Sequence, residues 1–452
     1  MSPQSRLRLV HLAWFVAAAA FGAAPGAAQQ LNAGAAVELL TLPEGVPLAG
    51  YSGRRAAMPD VLGLYPYAHY FPPSTGGHAG EEIRVKALAL ERDGKRLVFV
   101  SLDTVGVDSK LRDDIVTALA VAPLSFAADN VLISATHTHS GPGALTANHF
   151  LEYAATDQLH TGLRANIVTQ VAAAVTKAVA GLQAAELFHF TTDAAALHRN
   201  RSRDPTHGDH TLSFLAVRKK GSATWIGALV NFAVHGTAWD QTNNQLSADY
   251  PGAIERAFAK AMGVPGLPVL FLNGAEGDSS PTKKPGVMQA ELDVWAQARW
   301  NGWWSFSPPP PLPVPEWKLR TREVELGTSF MYLRAELKPF QDVFPVSRLG
   351  MELATYFPKK VKIWSLSLAG LRFLTIPGEP TTDVGLELRE MVNQELGVAT
   401  PVWVLGLTND HVGYFTSRKD WKVATYESTN STYGAYGSRR LVNGHLCLLR
   451  TP

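Results

Sequence analysis

Four short segments of this chain run from an apolar stretch straight into a polar cluster loosened by Gly and Pro. Val131-Leu132-Ile133 leads to Thr136-His137-Thr138-His139-Ser140-Gly141-Pro142-Gly143, and Ala228-Leu229-Val230 leads to Asn231-Phe232-Ala233-Val234-His235-Gly236-Thr237. Val269-Leu270-Phe271-Leu272 leads to Asn273-Gly274-Ala275-Glu276-Gly277-Asp278-Ser279-Ser280-Pro281, and Phe373-Leu374-Thr375-Ile376 leads to Pro377-Gly378-Glu379-Pro380. Strand ends of this kind are where an α/β fold assembles a site. Four of them pointing one way would surround a single pocket.

The residue types suit metal ligation and nucleophilic attack. In an extended segment residues i and i+2 share a face, so His137 and His139 can point into one cavity. Neutral imidazole is a good zinc ligand, and zinc takes about four ligands in a tetrahedron. A third imidazole from His235 and a carboxylate from Glu379 fit that need. Each residue also has a plainer reading. A histidine beside a strand is ordinarily a hydrogen-bonded structural residue, and Glu379 can simply begin a helix, where the dipole favours a carboxylate. Ser280 sits in a tight turn that can present its hydroxyl, although Gly, Asp, Ser and Pro all favour turns anyway. Gly-x-Ser-x-Gly, His-Glu-x-x-His, Gly-x-Gly-x-x-Gly and P-loop patterns are absent from the sequence. The single cysteine, Cys447, excludes an intrachain disulfide framework and thiolate zinc modules. A metal site must therefore use His, Asp, Glu or Tyr.

The elements that must position these residues are those of a mixed α/β protein. Val85–Glu91 and Arg96–Leu102 read as strands joined at an Asp93-Gly94 hairpin turn. The spacing predicts helices over Ser109–Ala120, Asp157–Ala180, Ala253–Met262, Met288–Arg299 and Pro380–Leu396, the last stopped by Gly397. Further strands are expected at Asn130–Ala135, Leu212–Val217, Ala223–Val234, Val269–Leu272, Arg320–Leu326, Lys362–Ser367, Leu371–Ile376 and Pro401–Leu407. The hairpins imply a mixed sheet core flanked by helices, with the site at strand ends. No sequence repeat is visible, and Ser307–Pro315 reads as a stiff proline-rich surface loop.

Composition narrows the function. The chain has 452 residues, 46% of them hydrophobic, which is ample for a large core. Lys+Arg number 41 against 39 Asp+Glu, so there is no electrostatic footprint for nucleic acid. Arg6 and Arg8 precede an apolar run from Leu9 to Phe21, followed by small residues through Ala28. This pattern predicts a secretory signal peptide over residues 1–28 and an exported, periplasmic or secreted product. The run is shorter than the ~20 residues that span a bilayer.

Taken in order, the motifs resemble those of the neutral (non-lysosomal) ceramidase family. His137 through Gly143 resembles its His-Thr-His-Ser-Gly-Pro-Gly signature, and Asn200-Arg201-Ser202 its Asn-Arg-Ser element. Phe232 to His235, Asn243 to Asp249, Gly277 to Pro281 and Pro377-Gly378-Glu379 follow in the family's order, and Gly50-Tyr51 fits as well. The resemblance covers about residues 38–440. It implies a zinc-dependent amidohydrolase that splits ceramide into sphingosine and a fatty acid, with a lipid-like substrate and possible peripheral membrane contact. His137, His235 and Glu379 would ligate zinc. Ser280 would match the catalytic serine. His139 and Arg201 would sit near the oxyanion or the substrate amide, and Tyr433 would match a tyrosine lining the reaction centre. The resemblance leaves open whether Ser280 or an activated water attacks.

Two departures are expected. The family's fourth ligand is a tyrosine twelve residues before the one matched by Tyr433, and that count lands on Trp421. Indole nitrogen is a donor only and cannot ligate zinc. Water, Asp420 or another nearby group would then complete the site, or the gapless count slips there. The C-terminal β-sandwich of longer members is also expected to be missing, leaving residues 29–452 as one catalytic domain. The alternatives are a zinc hydrolase of another amide or ester and a non-catalytic periplasmic binding relative.

Overall fold

The computed structural model describes residues 30–55, 64, 66–304, 309–313, 317–332, 350–423 and 425–450. The signal-peptide segment lies outside them, as do residues 307, 308, 314 and 315 of the proline-rich stretch. Within that stretch, the Leu312 N–H donates to the carbonyl oxygen of Leu187 at 2.8 Å.

One topology occurs three times. The first unit is β1 (Asn32–Leu39), β2 (Arg84–Arg92), β3 (Lys95–Leu102), α1 (Ser109–Leu119), β4 (Val131–Ala135) and α2 (Thr161–Ala180). The second is β5 (Gln183–Asp193), β6 (Thr211–Lys219), β7 (Trp225–Phe232), α3 (Asp249–Ala261), β8 (Val269–Asn273) and α4 (Met288–Trp304). The third is β9 (Lys318–Glu325), β10 (Lys360–Leu368), β11 (Leu371–Thr375), α5 (Thr382–Leu396), β12 (Val402–Leu405) and α6 (Gly437–Arg450). In each unit the first three strands pair antiparallel, and the last joins the third in parallel after a helical crossover. β1 also pairs with β5, fusing the first two units into one eight-stranded sheet.

Burial on both faces explains the continuous apolar runs in the sequence. Val98, Val100 and Leu102 of β3 pack with Ile115 of α1 and Ile167 of α2, while Leu97 and Phe99 face a central core. β7 sends Ala228 and Val230 toward α3 and Leu229 inward. β11 sends Leu374 toward α5 and α6, and Phe373 inward, where it lies 5.6 Å from Phe99 and 5.0 Å from Trp403. Three helix-backed units, two in the eight-stranded sheet and one in a four-stranded sheet, thus close around one shared interior, which fixes the directions of their strands.

The predicted Asp93-Gly94 turn is present, with both residues at positive φ (53° and 71°), as a type I′ hairpin requires. Ala369 and Gly370 repeat it between β10 and β11. Gly397 ends α5 at φ 66°. Three helices differ from expectation, and α3 begins at Asp249 rather than Ala253. α2 begins at Thr161 rather than Asp157, because Asp157 turns to φ 69° and its carboxylate accepts N–H groups from His69, Tyr70, Phe71 and Gln158. α4 runs to Trp304 rather than Arg299, carried by Trp303 stacked on Phe190 at 4.8 Å and Trp304 against Phe188 at 5.3 Å.

Buried histidines make the fold acid-sensitive. His445 is wholly buried with Nε2 donating to the Thr375 carbonyl, and burial pushes it down to about 4. His198 is pushed to about 4 by burial and by His210. Unfolding returns each to ~6.5, so the unfolded chain binds the extra proton and stability falls as pH drops from ~6.5 to ~4. Each group contributes on the order of 3 kcal/mol to that loss. Urea midpoints at pH 7.5 and 4.5 should show it, and His445→Gln should flatten the curve. Parallel curves for the two proteins would refute the assignment.

Candidate functional site

All six parallel-paired strands end at one buried point. The Val105 carbonyl follows β3, His137 and His139 follow β4, and His235 follows β7. The Glu276 and Ser279 carbonyls follow β8, Glu379 follows β11, and His411 follows β12. Each unit therefore brings one of the three expected ligands: His137, His235 and Glu379.

Nε2 of His137 and of His235 lie 3.2 and 3.3 Å from Glu379 Oε2. Nε2 of His139 is 3.2 Å from Nε2 of His137. The ligating nitrogens of the three histidines all fall within 4.8 Å of one another. Zn–N bonds of about 2.0–2.1 Å place neighbouring ligand atoms of a tetrahedron about 3.3 Å apart, which is the spacing found. His137 Nδ1 donates to the Val105 carbonyl at 2.6 Å, and His235 Nδ1 to the Glu276 carbonyl at 2.8 Å. These bonds fix both rings with the Nε2 lone pair turned inward. Among the described residues, His235 Nε2 and Glu379 Oε2 are buried without a hydrogen-bond partner. Orphaned ligand atoms converging in this way fit a divalent metal.

The electrostatics agree. Burial pushes His139 far below its ordinary value, helped by the neighbouring imidazoles, and takes His235 to about 4. Both rings are neutral at pH 7, the form that ligates. Burial by itself raises a carboxyl, but the imidazoles of His137, His235 and His411 hold Glu379 well below its usual range. His137 sits at φ 67°, strained for a non-glycine residue. Gly50 (φ 106°) lets the backbone pass the His139 ring, since a Cβ there would lie 2.5 Å from His139 Cγ.

Ser280 lies one residue beyond the cluster. It belongs to the short strand Ser279–Pro281, paired with His198–Asn200, and the preceding Ser279 carbonyl accepts the His235 N–H at 3.0 Å. Its own hydroxyl has no hydrogen-bond partner among the described residues and does not line the central cavity. Arg201 is at the site, but it is engaged: Nε pairs with Glu427 at 2.9 Å, and Nη2 donates to the Gly277 carbonyl and the Tyr414 hydroxyl.

Tyr433 is not at the site. Its hydroxyl donates to the Pro358 carbonyl at 2.7 Å, and its ring stacks on Phe415 in the core of the third unit. Trp421 ends a four-residue helix and does not line the cavity. Two other tyrosines take the places expected of this pair. Tyr414 pairs in parallel with Glu379 through the backbone, and its hydroxyl lies 3.1 Å from Arg201 Nη2. Tyr426 meets the Tyr414 ring edge-on at 5.7 Å. They are twelve residues apart, the spacing that was counted back from Tyr433. Counted from Tyr426 instead of Tyr433, the same spacing lands on Tyr414, paired with Glu379, rather than on Trp421. His411 and Glu276 also escaped the sequence reading. Burial, and then the charge of Glu379, push Glu276 well above its usual range, which favours its neutral form.

Two cavities meet at these side chains. One, of about 240 Å³, has walls of Phe150, Leu151, Ala154, Leu353 and Phe357 and ends on His137, His139, Glu379 and His411. The other, of about 360 Å³, is lined by Arg201, Ser202, Thr237, Gln241 and Glu427. Gly50, Ser52, His139, Tyr414 and Tyr426 border both. A larger cavity of about 550 Å³, between β2 and α3, contains none of this chemistry.

The fold and site define an α/β protein in which three strand–helix units deliver three imidazoles and a carboxylate to the junction of an apolar and a polar cavity. Residues 62–289 match the family described as neutral/alkaline non-lysosomal ceramidase, N-terminal. This is half of the chain, and the chain belongs to that family. Neutral ceramidase of Mycobacterium tuberculosis is 24% identical over 404 residues, covering 69% of this chain and 62% of that protein. Neutral ceramidase B of Dictyostelium discoideum is 26% identical over 277 residues, covering 55% of this chain and 38% of that protein. The chain thus spans less than two thirds of the length of either relative. The crystal structure of neutral ceramidase from Pseudomonas aeruginosa superposes with a TM-score of 0.76 at 20% identity, over 93% of this chain and 74% of that one.

Proposed function

We propose that this protein is an exported, zinc-dependent amidohydrolase that cleaves the N-acyl bond of ceramide or a closely related N-acyl amphiphile, releasing a fatty acid. One observation carries the reading. The apolar cavity that can take an acyl chain ends directly on His137, His139 and Glu379.

His137, His235 and Glu379 would hold the metal, with the Tyr414 phenol beside them and His139 Nε2 within ligand distance. Bound there, zinc supplies Lewis acidity that polarises the amide carbonyl. The protein's own residues do the rest. Apolar walls hold the acyl chain and exclude water. The polar cavity receives the amino-alcohol end. Tyr426, which borders both cavities, is placed to donate to the developing oxyanion, a contribution of several kcal/mol in preorganised sites. Arg201 holds the Tyr414 hydroxyl in place, and either the Ser280 hydroxyl or an activated water supplies the attacking oxygen. A substrate drawn from a lipid surface makes peripheral membrane contact part of the proposal.

The test is fatty-acid release from a panel of N-acyl sphingosines, N-acyl amino acids and acyl esters. Chelation should abolish release and zinc should restore it. Ser280→Ala should lower turnover by roughly 10²-fold or more if the hydroxyl attacks; unchanged turnover removes it from the mechanism. A preference for the other amides or the esters would move the substrate class. The non-catalytic alternative rested on Trp421, and Tyr414 beside Glu379 removes that support.

A further inference from the structure

We infer that His411 is a positioning residue that sets the affinity of the metal site by holding one oxygen of Glu379. The inference rests on the zinc reading above. Glu379 has two chemically equivalent oxygens, and they are used differently. Oε2 faces His137 and His235 and has no hydrogen-bond partner, while Oε1 lies 3.0 Å from His411 Nε2. A carboxylate only accepts, so His411 donates through Nε2–H. That bond commits Oε1 and turns Oε2 to the metal. It prevents the carboxylate from rotating or from chelating through both oxygens.

The ring is fixed from several directions. Leu407 and Asn409, just before it, sit at φ 51° and 68°. Asn409 Oδ1 accepts the Ile133 N–H at 2.8 Å, tying this loop to β4. Asp410 Oδ1 accepts both the His411 N–H (2.8 Å) and the Ser109 N–H (3.0 Å), tying it to α1. Beside its Nδ1 the ring lies against bare backbone, and a Cβ at Gly106 would come within 2.5 Å of His411 Nδ1. A methyl at residue 106 therefore pushes the ring without deleting it.

The experiment is zinc titration of the metal-free protein against a chelating dye, with urea midpoints as the folding control. His411→Leu should weaken zinc binding by about 10–100-fold. His411→Gln, which keeps an N–H donor, should recover most of it. Gly106→Ala should weaken binding on its own but add nothing to His411→Leu, because both act through one ring. If His411→Leu binds zinc within twofold of the parent while Glu379→Gln does not bind, the positioning role is overturned and the metal site stands. If Glu379→Gln binds like the parent, Glu379 is not a ligand and the positioning role falls with it; if the parent itself takes up no zinc, the zinc reading fails. Should His411→Leu not fold, Gly106→Ala decides: unchanged affinity overturns the inference.

Discussion

A Glu379→Gln protein is expected to lose its metal and to turn over an N-acyl substrate about a thousandfold more slowly or worse, an effect of several kcal/mol. The substitution keeps size and shape, so the fold around it should survive. What it removes is, among the described residues, the carboxylate charge that both His137 and His235 meet. The remaining ligands are neutral imidazoles, and a divalent ion bound by them alone keeps its full charge in a buried place. The His411 N–H would hold the amide oxygen, which leaves the NH₂ group, with no lone pair to give, facing the metal. Metal content by elemental analysis and kcat on the same preparation check the prediction together. Parental zinc with lost turnover would make Glu379 an acid–base group instead of a ligand. Lost zinc with parental turnover would take the metal out of the reaction.

Much of this site is written in short-range order. Each predicted ligand stands just after an apolar run, and the runs proved to be strands buried on both faces, so their ends could be located from hydropathy alone. His137 and His139 were legible as a pair because extended backbone repeats every two residues. Long-range pairing was not legible. Glu379 and Tyr414 are neighbours through a parallel bridge across 35 residues, and nothing local in Gly413-Tyr414-Phe415 says so. With three tyrosines between 414 and 433, a spacing rule without that bridge could start from the wrong one. β1 and β5 escaped notice for a related reason. Asn-Ala-Gly-Ala-Ala-Val-Glu-Leu is poor in branched and aromatic residues, and it is a strand because β2 and β5 hold it, not because of its own propensity. The threefold topology leaves no visible repeat, because the same inward and outward positions are filled by Leu97 and Phe99, by Leu229, and by Phe373 and Trp403. Burial constrains polarity at those positions and leaves identity free.

The largest stability effect is expected at Lys86, which lines neither of the two cavities that meet at the candidate site. Its ammonium is wholly buried between Asp103, at 2.8 Å, and Glu255, at 2.7 Å. The three residues come from β2, the loop after β3, and α3, so the cluster joins the first unit to the second. Lys86→Met keeps the volume and removes the charge, leaving two carboxyls in a place that cannot solvate them. Breaking a buried pair on one side costs about 3–5 kcal/mol. The pH dependence identifies the cause. Burial pushes Glu255 up to about 7, with Lys86 pulling it down. A carboxyl whose folded value lies above its unfolded value gives stability that is intact below the unfolded value and is lost as pH rises through the folded one. In the parent that loss ends near pH 7, where Glu255 ionises against Lys86. Without Lys86 the carboxyl titrates higher still, and the loss continues. The gap between Lys86→Met and parent should therefore be nearly constant from pH 5 to 7 and widen above pH 7. Urea unfolding at pH 5.5, 7 and 8.5 measures it. A gap that narrows with rising pH would mean that Lys86 acts through packing, and that the ion cluster does not hold the two units together.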